Sequence, residues 1–453
     1  MKFKVYYHLE KAKTKKCEDF NQLVRKYKNK LTLDKIGIVQ FIKFHYPLYK
    51  RTYIEEIKSS FQWENGEPLY FKYNENEKGY NKEKESILWE ILKTSINNIC
   101  NDKKKIYGVG NSGGLDSRII IYLLKYLNID FNSYTFGKKN SDAVYIANKT
   151  AKILNFKNKI IEIEPDFLQK YWRQVLEKST MFSLLYSWYF SVYRELPQMD
   201  IHITGFNGDN MLGSHLSEEL IRISNRNELY KYIYSHYSYV PNDLLKLVLN
   251  EKNLVKKAYL DYIENISYSE NKKNENIFEE FNFKCRQLKF IINSINFNYC
   301  QNIKWESPYM SKDFMDFALN LTLDERFKRK LQYNMARKYL KELNTLRFER
   351  NYFALGNQNK LKKKIKKIIW ELDKKFNLRI YYKGSHKNVK KWINESNALK
   401  FIEQLFKKKS NLFDEIFNKQ YIINNLYQIY QKNIHLLFNL LTVKVWIDTF
   451  LES

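Results

Sequence analysis

Downstream of residue 104, two hydrophobic periods take turns along the chain. Lys105 to Val109 is a short apolar run of strand length, and Arg118 to Leu127 repeats apolar residues at helical spacing. Phe131 to Phe136 reads as the next strand and Ser141 to Leu154 as the next helix. Lys159 to Ile163 is a third strand, Phe167 to Glu177 opens another helical stretch, and Ile201 to Thr204 is a fourth strand. Strand–helix alternation predicts an α/β fold, a parallel sheet with helices on both faces, and in such sheets ligands bind beyond the carboxyl ends of the strands.

On either side the pattern changes. Residues 1–100 mix strand-like runs (Lys4 to Tyr7, Pro68 to Tyr73) with helical ones (Leu33 to Lys43, Lys82 to Ile99) and are expected to form a short α+β region. From about Ser217 the periodicity is mostly helical, as in Leu244 to Tyr262 and Phe327 to Lys341, with polar joints such as Ser269 to Asn276. Lys360 to Phe376 sets Leu361, Ile365, Ile368, Ile369 and Leu372 at helical spacing among lysines. A solvated helix with one packed face is expected there, in preference to a membrane-surface helix. The expected division is therefore residues 1–100, a sheet domain over 101–350, and a helical, lysine-rich region over 351–453.

The chemistry is concentrated where the first of these strands meets its helix, in Gly110-Asn111-Ser112-Gly113-Gly114-Leu115-Asp116-Ser117-Arg118. Gly113 and Gly114 allow positive φ and bring backbone N–H groups close to a ligand. Ser112 and Ser117 add hydroxyls, and the helix N-terminus favours an anion. Asp116 would repel phosphate unless a cation lay between them, so Mg²⁺ bridging Asp116 to a polyphosphate is expected. No lysine lies between Lys105 and Lys125, which excludes a Walker loop. The pattern Ser-Gly-Gly-x-Asp-Ser resembles the PP-loop of the ATP pyrophosphatase superfamily, whose members cleave ATP between the α- and β-phosphates.

A second strand-to-turn element, Ile201-His202-Ile203-Thr204-Gly205-Phe206-Asn207-Gly208-Asp209, carries Gly205 and Gly208 ahead of an aspartate. If its strand joins the same sheet, Asp209 reaches the same edge as Asp116, and two carboxylates can share one Mg²⁺. His202 and His215 flank this loop but are expected to be core or surface residues.

Composition narrows the class. The 453 residues are 44% hydrophobic, and the formal net charge is +28. The lysines are scattered, so a nucleic-acid partner is a weaker expectation than a composition bias. Cys17, Cys100, Cys285 and Cys300 form no Cys-x-x-Cys and fit buried apolar positions in a reducing compartment. The apolar stretch His435 to Leu451 is interrupted by Asn439, Lys444 and Asp448, so no membrane insertion is expected. Without the apolar core of a signal peptide near Met1, a cytoplasmic protein is expected.

Three further segments make a resemblance specific. Ser141-Asp142 with Ala147 and Ala151, the loop Thr204 to Gly213, and Pro308-Tyr309 through Asp316-Phe317-Ala318-Leu319 are similar to segments of asparagine synthetases. Leu31-Thr32-Leu33 through Arg51-Thr52-Tyr53, Ile57 and Asn65-Gly66 resembles the junction that leads into their synthetase domain. Over roughly residues 31–350 the chain looks like that domain, which implies an adenine nucleotide alpha hydrolase-like fold and ATP and Mg²⁺ as cofactors. By the resemblance Ser112, Gly113, Gly114, Asp116 and Ser117, with Gly205 and Gly208 of the second loop, serve the pyrophosphate. Asp116 and Asp209 would hold Mg²⁺, as the catalytic pair, and backbone at Val109 and at Thr135 and Phe136 would hold adenosine. The implied reaction is an AMP-forming amide ligation. A small-molecule, peptide or sugar carboxylate becomes an acyl-adenylate, and ammonia or an amine then displaces AMP.

The departures from the family pattern are as informative. Lys2 stands where full asparagine synthetases carry a catalytic cysteine, so a separate glutaminase, free ammonia or another amine is expected to supply nitrogen. Phe206 replaces a glutamate of the second loop and Asn210 an acidic residue. The region of the family's catalytic lysine reads Glu349-Arg350-Asn351-Tyr352-Phe353, and Arg118 stands where a small residue is usual. Two other readings stay open: a PP-loop tRNA-modifying enzyme, and a nucleotide-binding protein that has lost catalysis.

Overall fold

The computed structural model describes residues 3–10, 17–63, 73, 79–267, 272–349, 354–356, 360–376, 385 and 388–452. Two strands, β1 (Phe3–Leu9) and β2 (Ile57–Trp63), pair antiparallel, and helix α1 (Lys35–Phe44) lies between them in sequence. The Asp34 side chain starts α1 by accepting the Gly37 N–H at 2.8 Å. Helix α2 (Glu83–Ile99) then leads into the sheet.

The main sheet holds β3 (Tyr107–Gly110), β4 (Phe131–Phe136), β5 (Asn158–Ile161), β6 (Ile201–Ile203) and β7 (Lys304–Glu306), in spatial order β5-β4-β3-β6-β7 with every pairing parallel. Helices α3 (Leu115–Tyr126), α4 (Asp142–Ile153) and α5 (Phe167–Lys178) connect the first strands. The α/β expectation therefore holds, with a mostly helical remainder. β3 is central and its order reverses there, since β4 lies on one side and β6 on the other. That is the switch point at which such sheets open a crevice. β7 escapes sequence detection because three residues with one buried side chain, Trp305, are too short to show a period.

Some expected helices are broken, each for a visible reason. Leu244 to Tyr262 splits into Asn242–Val248 and Leu254–Ser267, because Leu249 forms a β-bridge to Phe417 and the Asn250 N–H donates to the Ile416 carbonyl. Phe327 to Lys341 begins as a tight turn in which Lys328 and Arg329 take left-handed φ of 52° and 59°. Only then does helix α7 (Lys330–Tyr339) run regularly, following the four-residue α6 (Gly208–Met211) of the second loop. The expected strand at Pro68 to Tyr73 lies outside the described residues except for Tyr73.

Helix α8 (Lys360–Phe376) forms where its period predicts, but its apolar face is not packed: Ile365, Ile368, Ile369, Leu372 and Phe376 are exposed. Helix α9 (Ile434–Phe450) is the opposite case, buried nearly all round and sharing a core with α1. Two of its polar residues, Asn439 and Lys444, find partners there. Asn439 donates to the Ile42 carbonyl at 2.8 Å, and Lys444 pairs with Asp448. Among the described residues no helix is long and apolar enough to cross a membrane.

Candidate ATP site

The loop after β3 has the form its sequence predicts. Gly113 takes φ +75°, and Gly114 is the N-cap of α3 in extended conformation. The Ser112 hydroxyl accepts the Gly114 N–H at 3.3 Å and lies 3.0 Å from the Ser117 hydroxyl. Ser117 also donates to the Gly114 carbonyl at 3.2 Å. Asp116 sits in the first turn of α3, at the carboxyl edge of the sheet.

Parallel pairing of β6 with β3 carries the second loop to that same edge. Its two glycines are there to let Asp116 in. A methyl on Gly205 would stand 2.9 Å from the Asp116 Cβ, and one on Gly208 would stand 2.8 Å from its Oδ1 and 2.9 Å from Cγ of Tyr309. Asp209 follows directly, near enough for its charge to raise the proton affinity of Asp116. Burial is the larger cause of that rise and Arg329 opposes it.

Arg329 is the group sequence reasoning missed. Its Nη2 donates to Asp116 Oδ1 at 2.6 Å, and Gln332 Nε2 donates to the same oxygen at 2.8 Å. Burial disfavours the Arg329 charge, but Asp116 and Asp209 more than compensate and hold it firmly protonated. The signal available was Arg329 and Gln332 at i, i+3 on one helix face, which does not say what that face meets.

The remaining expected residues lie close by. The Val109 side chain is buried in the sheet, and the Thr135 hydroxyl donates to the Asn111 carbonyl at 2.7 Å. Phe136 ends β4 and packs on Trp188 at 5.6 Å between ring centroids. Asn111 Oδ1 is buried beside the loop without a hydrogen-bond partner.

Each departure has a place. Phe206 is buried edge-on to Trp305, at 6.0 Å, with its carbonyl accepting from Ser307 Oγ at 2.8 Å. Asn210 is buried between Asn207 and Asn282. Arg118 is fully buried. It donates to the Leu346 and Arg347 carbonyls and covers the Phe348 ring at 4.5 Å. Arg347 forks onto Asp142 at the start of α4 at 3.0 and 2.5 Å. These latches bring Glu349 to the PP-loop, where its N–H donates to the Gly113 carbonyl at 3.3 Å. Residues 350–353, where the lysine was sought, lie outside the described residues.

Of the two flanking histidines, His202 is a core residue between Tyr134 and Asn298, and burial lowers its pKa to about 4. His215 is at the site. Burial lowers its pKa to about 4 as well, within reach of the charges of Asp209, Arg329 and Arg286, and its Nε2 has no hydrogen-bond partner. Arg286 lies near Tyr46, Tyr237 and Tyr239.

The asparagine synthase family model matches residues 92–344, more than half of the chain, a range that includes the Ser112–Ser117 loop, the second loop, Arg329 and Gln332. The chain belongs to the asparagine synthase family. It is thus an ATP-using enzyme of the PP-loop pyrophosphatase type. No curated protein matches it. Among solved structures it is similar to the U34-tRNA thiolase NcsA from Methanococcus maripaludis with its 4Fe-4S cluster. That match has 14% identity over 66% of this chain and 94% of the other, with a TM-score of 0.22, too slight a likeness to bear on function.

Proposed function

We propose that this asparagine synthase family member is an AMP-forming carbon–nitrogen ligase. A carboxylate oxygen of the acyl substrate attacks the α-phosphorus of ATP, and the bond from that phosphorus to the bridging oxygen breaks, releasing pyrophosphate. A nitrogen nucleophile then attacks the acyl carbon, AMP leaves with the electron pair of the carbon–oxygen bond, and the nitrogen gives up a proton. The observation that carries this reading is the convergence of Asp116, Asp209 and Arg329 against the Ser112–Ser117 loop.

Charge on the departing pyrophosphate is the main quantity such a site must stabilise. The loop N–H groups, the Ser112 and Ser117 hydroxyls and the N-terminus of α3 are aimed at an anion. Arg329 supplies a fixed positive charge against Asp116. Two neighbouring carboxylates fit Mg²⁺, which takes few protein ligands and completes its shell with phosphate oxygens and water. When bound, the ion would neutralise phosphate charge. Asp116 and Asp209 are the residues that would hold it, and both must be ionised to do so. Beyond Asp209, His215 and Arg286 with its tyrosines suit an acyl substrate that carries a further anionic group.

A PP-loop tRNA-modifying enzyme is the second reading; a sulfur-carrying role is disfavoured for Cys100 and Cys285, whose thiols burial raises to about 12 and about 11. The test is exchange of labelled pyrophosphate into ATP by the purified chain. Exchange that needs an added carboxylate supports adenylation; ATP binding without exchange for any carboxylate favours a protein that has lost catalysis.

A further inference from the structure

Helix α8 is built inside out for a globular protein. Its sequence, KLKKKIKKIIWELDKKF, carries eight lysines against one glutamate and one aspartate. A surface helix normally turns its apolar stripe to the core and its charges to water. Here Ile368, Leu372 and Phe376 are 49%, 47% and 61% exposed, with Ile365 and Ile369 exposed beside them. Beside that stripe Asp373 is only 2% exposed, and further round the helix Trp370 is half-buried. Leu372 and Asp373, neighbours in sequence about 100° apart around the helix, mark one edge of the exposed stripe.

We propose that α8 is a docking surface for an anionic lipid bilayer, lying in the plane of the headgroups with Ile365, Ile368, Ile369, Leu372 and Phe376 sunk into the acyl boundary. Charge complementarity selects this occupant. An apolar stripe on a lysine-rich helix is the composition of interfacial helices, and each basic residue near an anionic leaflet adds to binding. A protein partner fits less well, because lysine is depleted from protein–protein interfaces while aromatic residues and arginine are enriched there. A helix of this kind lies on a membrane without crossing it, in keeping with the absence of a spanning helix among the described residues. This inference rests on the exposed helix and is independent of the reaction proposed above.

The experiment is density-gradient flotation of the full chain with vesicles of phosphatidylcholine alone, or of phosphatidylcholine with phosphatidylglycerol. It compares the wild type with Ile368→Ser/Leu372→Ser and with Lys364→Glu/Lys367→Glu, each checked for an unchanged circular dichroism melt. The wild type is expected to float with the phosphatidylglycerol vesicles, more weakly at high salt, and each variant to lose at least about tenfold in binding. Three results would overturn the proposal. One is failure of the wild type to float. A second is flotation of the Ile368→Ser/Leu372→Ser variant equal to wild type, which would assign binding to the overall positive charge. The third is a wild-type dimer that this variant dissociates while neither binds vesicles, which would make the face a contact between two copies.

Discussion

Arg329 reaches Asp116 at 2.6 Å from a backbone conformation, φ +59°, that residues other than glycine seldom adopt. The left-handed turn ahead of α7 therefore has a consequence: it aims a guanidinium at Asp116, within reach of the charge of Asp209. Replacing Arg329 with methionine should lower kcat/KM for pyrophosphate release by about 10²–10³, with Arg329→Lys retaining part of the activity. Steady-state pyrophosphate release, alongside a thermal melt to confirm folding, checks this.

Gly208 makes a separable prediction. A methyl there meets Asp116 Oδ1 and the Tyr309 ring, both closer than 3.0 Å, so the second loop must move away from the first. Gly208→Ala should cost about 1–3 kcal/mol of stability and a disproportionate share of activity, at least about tenfold. Urea unfolding and turnover, measured on one preparation, separate the two effects.

Restoring the family's glutamate should fail. Phe206 is 6% exposed and packs on Trp305, so Phe206→Glu puts a carboxylate into an apolar site. A loss of about 3 kcal/mol or more and no gain in turnover are expected. A variant that folds as well as wild type and turns over faster would contradict the reading of Phe206 as core.

His202 gives a pH signature. Asn298 Nδ2 donates to the Ile295 carbonyl, which leaves its Oδ1 to accept from His202 Nδ1; Nε2 then accepts from the Tyr134 hydroxyl. The ring is thus held neutral, with a folded pKa of about 4. The unfolded chain takes up that proton first, near about 6.5. His202 therefore contributes stability that is present above about 6.5 and lost as the pH falls toward about 4, worth about 3 kcal/mol if fully expressed. His202→Gln should flatten the fall in stability across that window, as read from urea midpoints against pH.

How much of this was visible in the chain depends on how local each feature is. The Ser112–Ser117 loop is a contiguous strand–glycine–helix unit, so its residues and shape could be read directly. Asp209 was legible for the same reason once its strand was placed in the sheet. Arg329 was not, because its position depends on a break inside what looked like one continuous helix. Phe206 and Asn210 could be read as departures, but only the packing shows them as satisfied core residues. In α8 the period revealed that an apolar face exists, while the exposure of that face is a tertiary fact.

The account's central claim is that Asp116 and its partners serve carboxylate adenylation. The most direct measurement is the product pair formed from ATP and Mg²⁺ by the purified chain, given a panel of carboxylates that includes aspartate, compared with Asp116→Ala. AMP and pyrophosphate in equal amounts, dependent on one class of carboxylate and lost in the variant, is the predicted result. Formation of ADP and phosphate, or release that persists in Asp116→Ala, would contradict it.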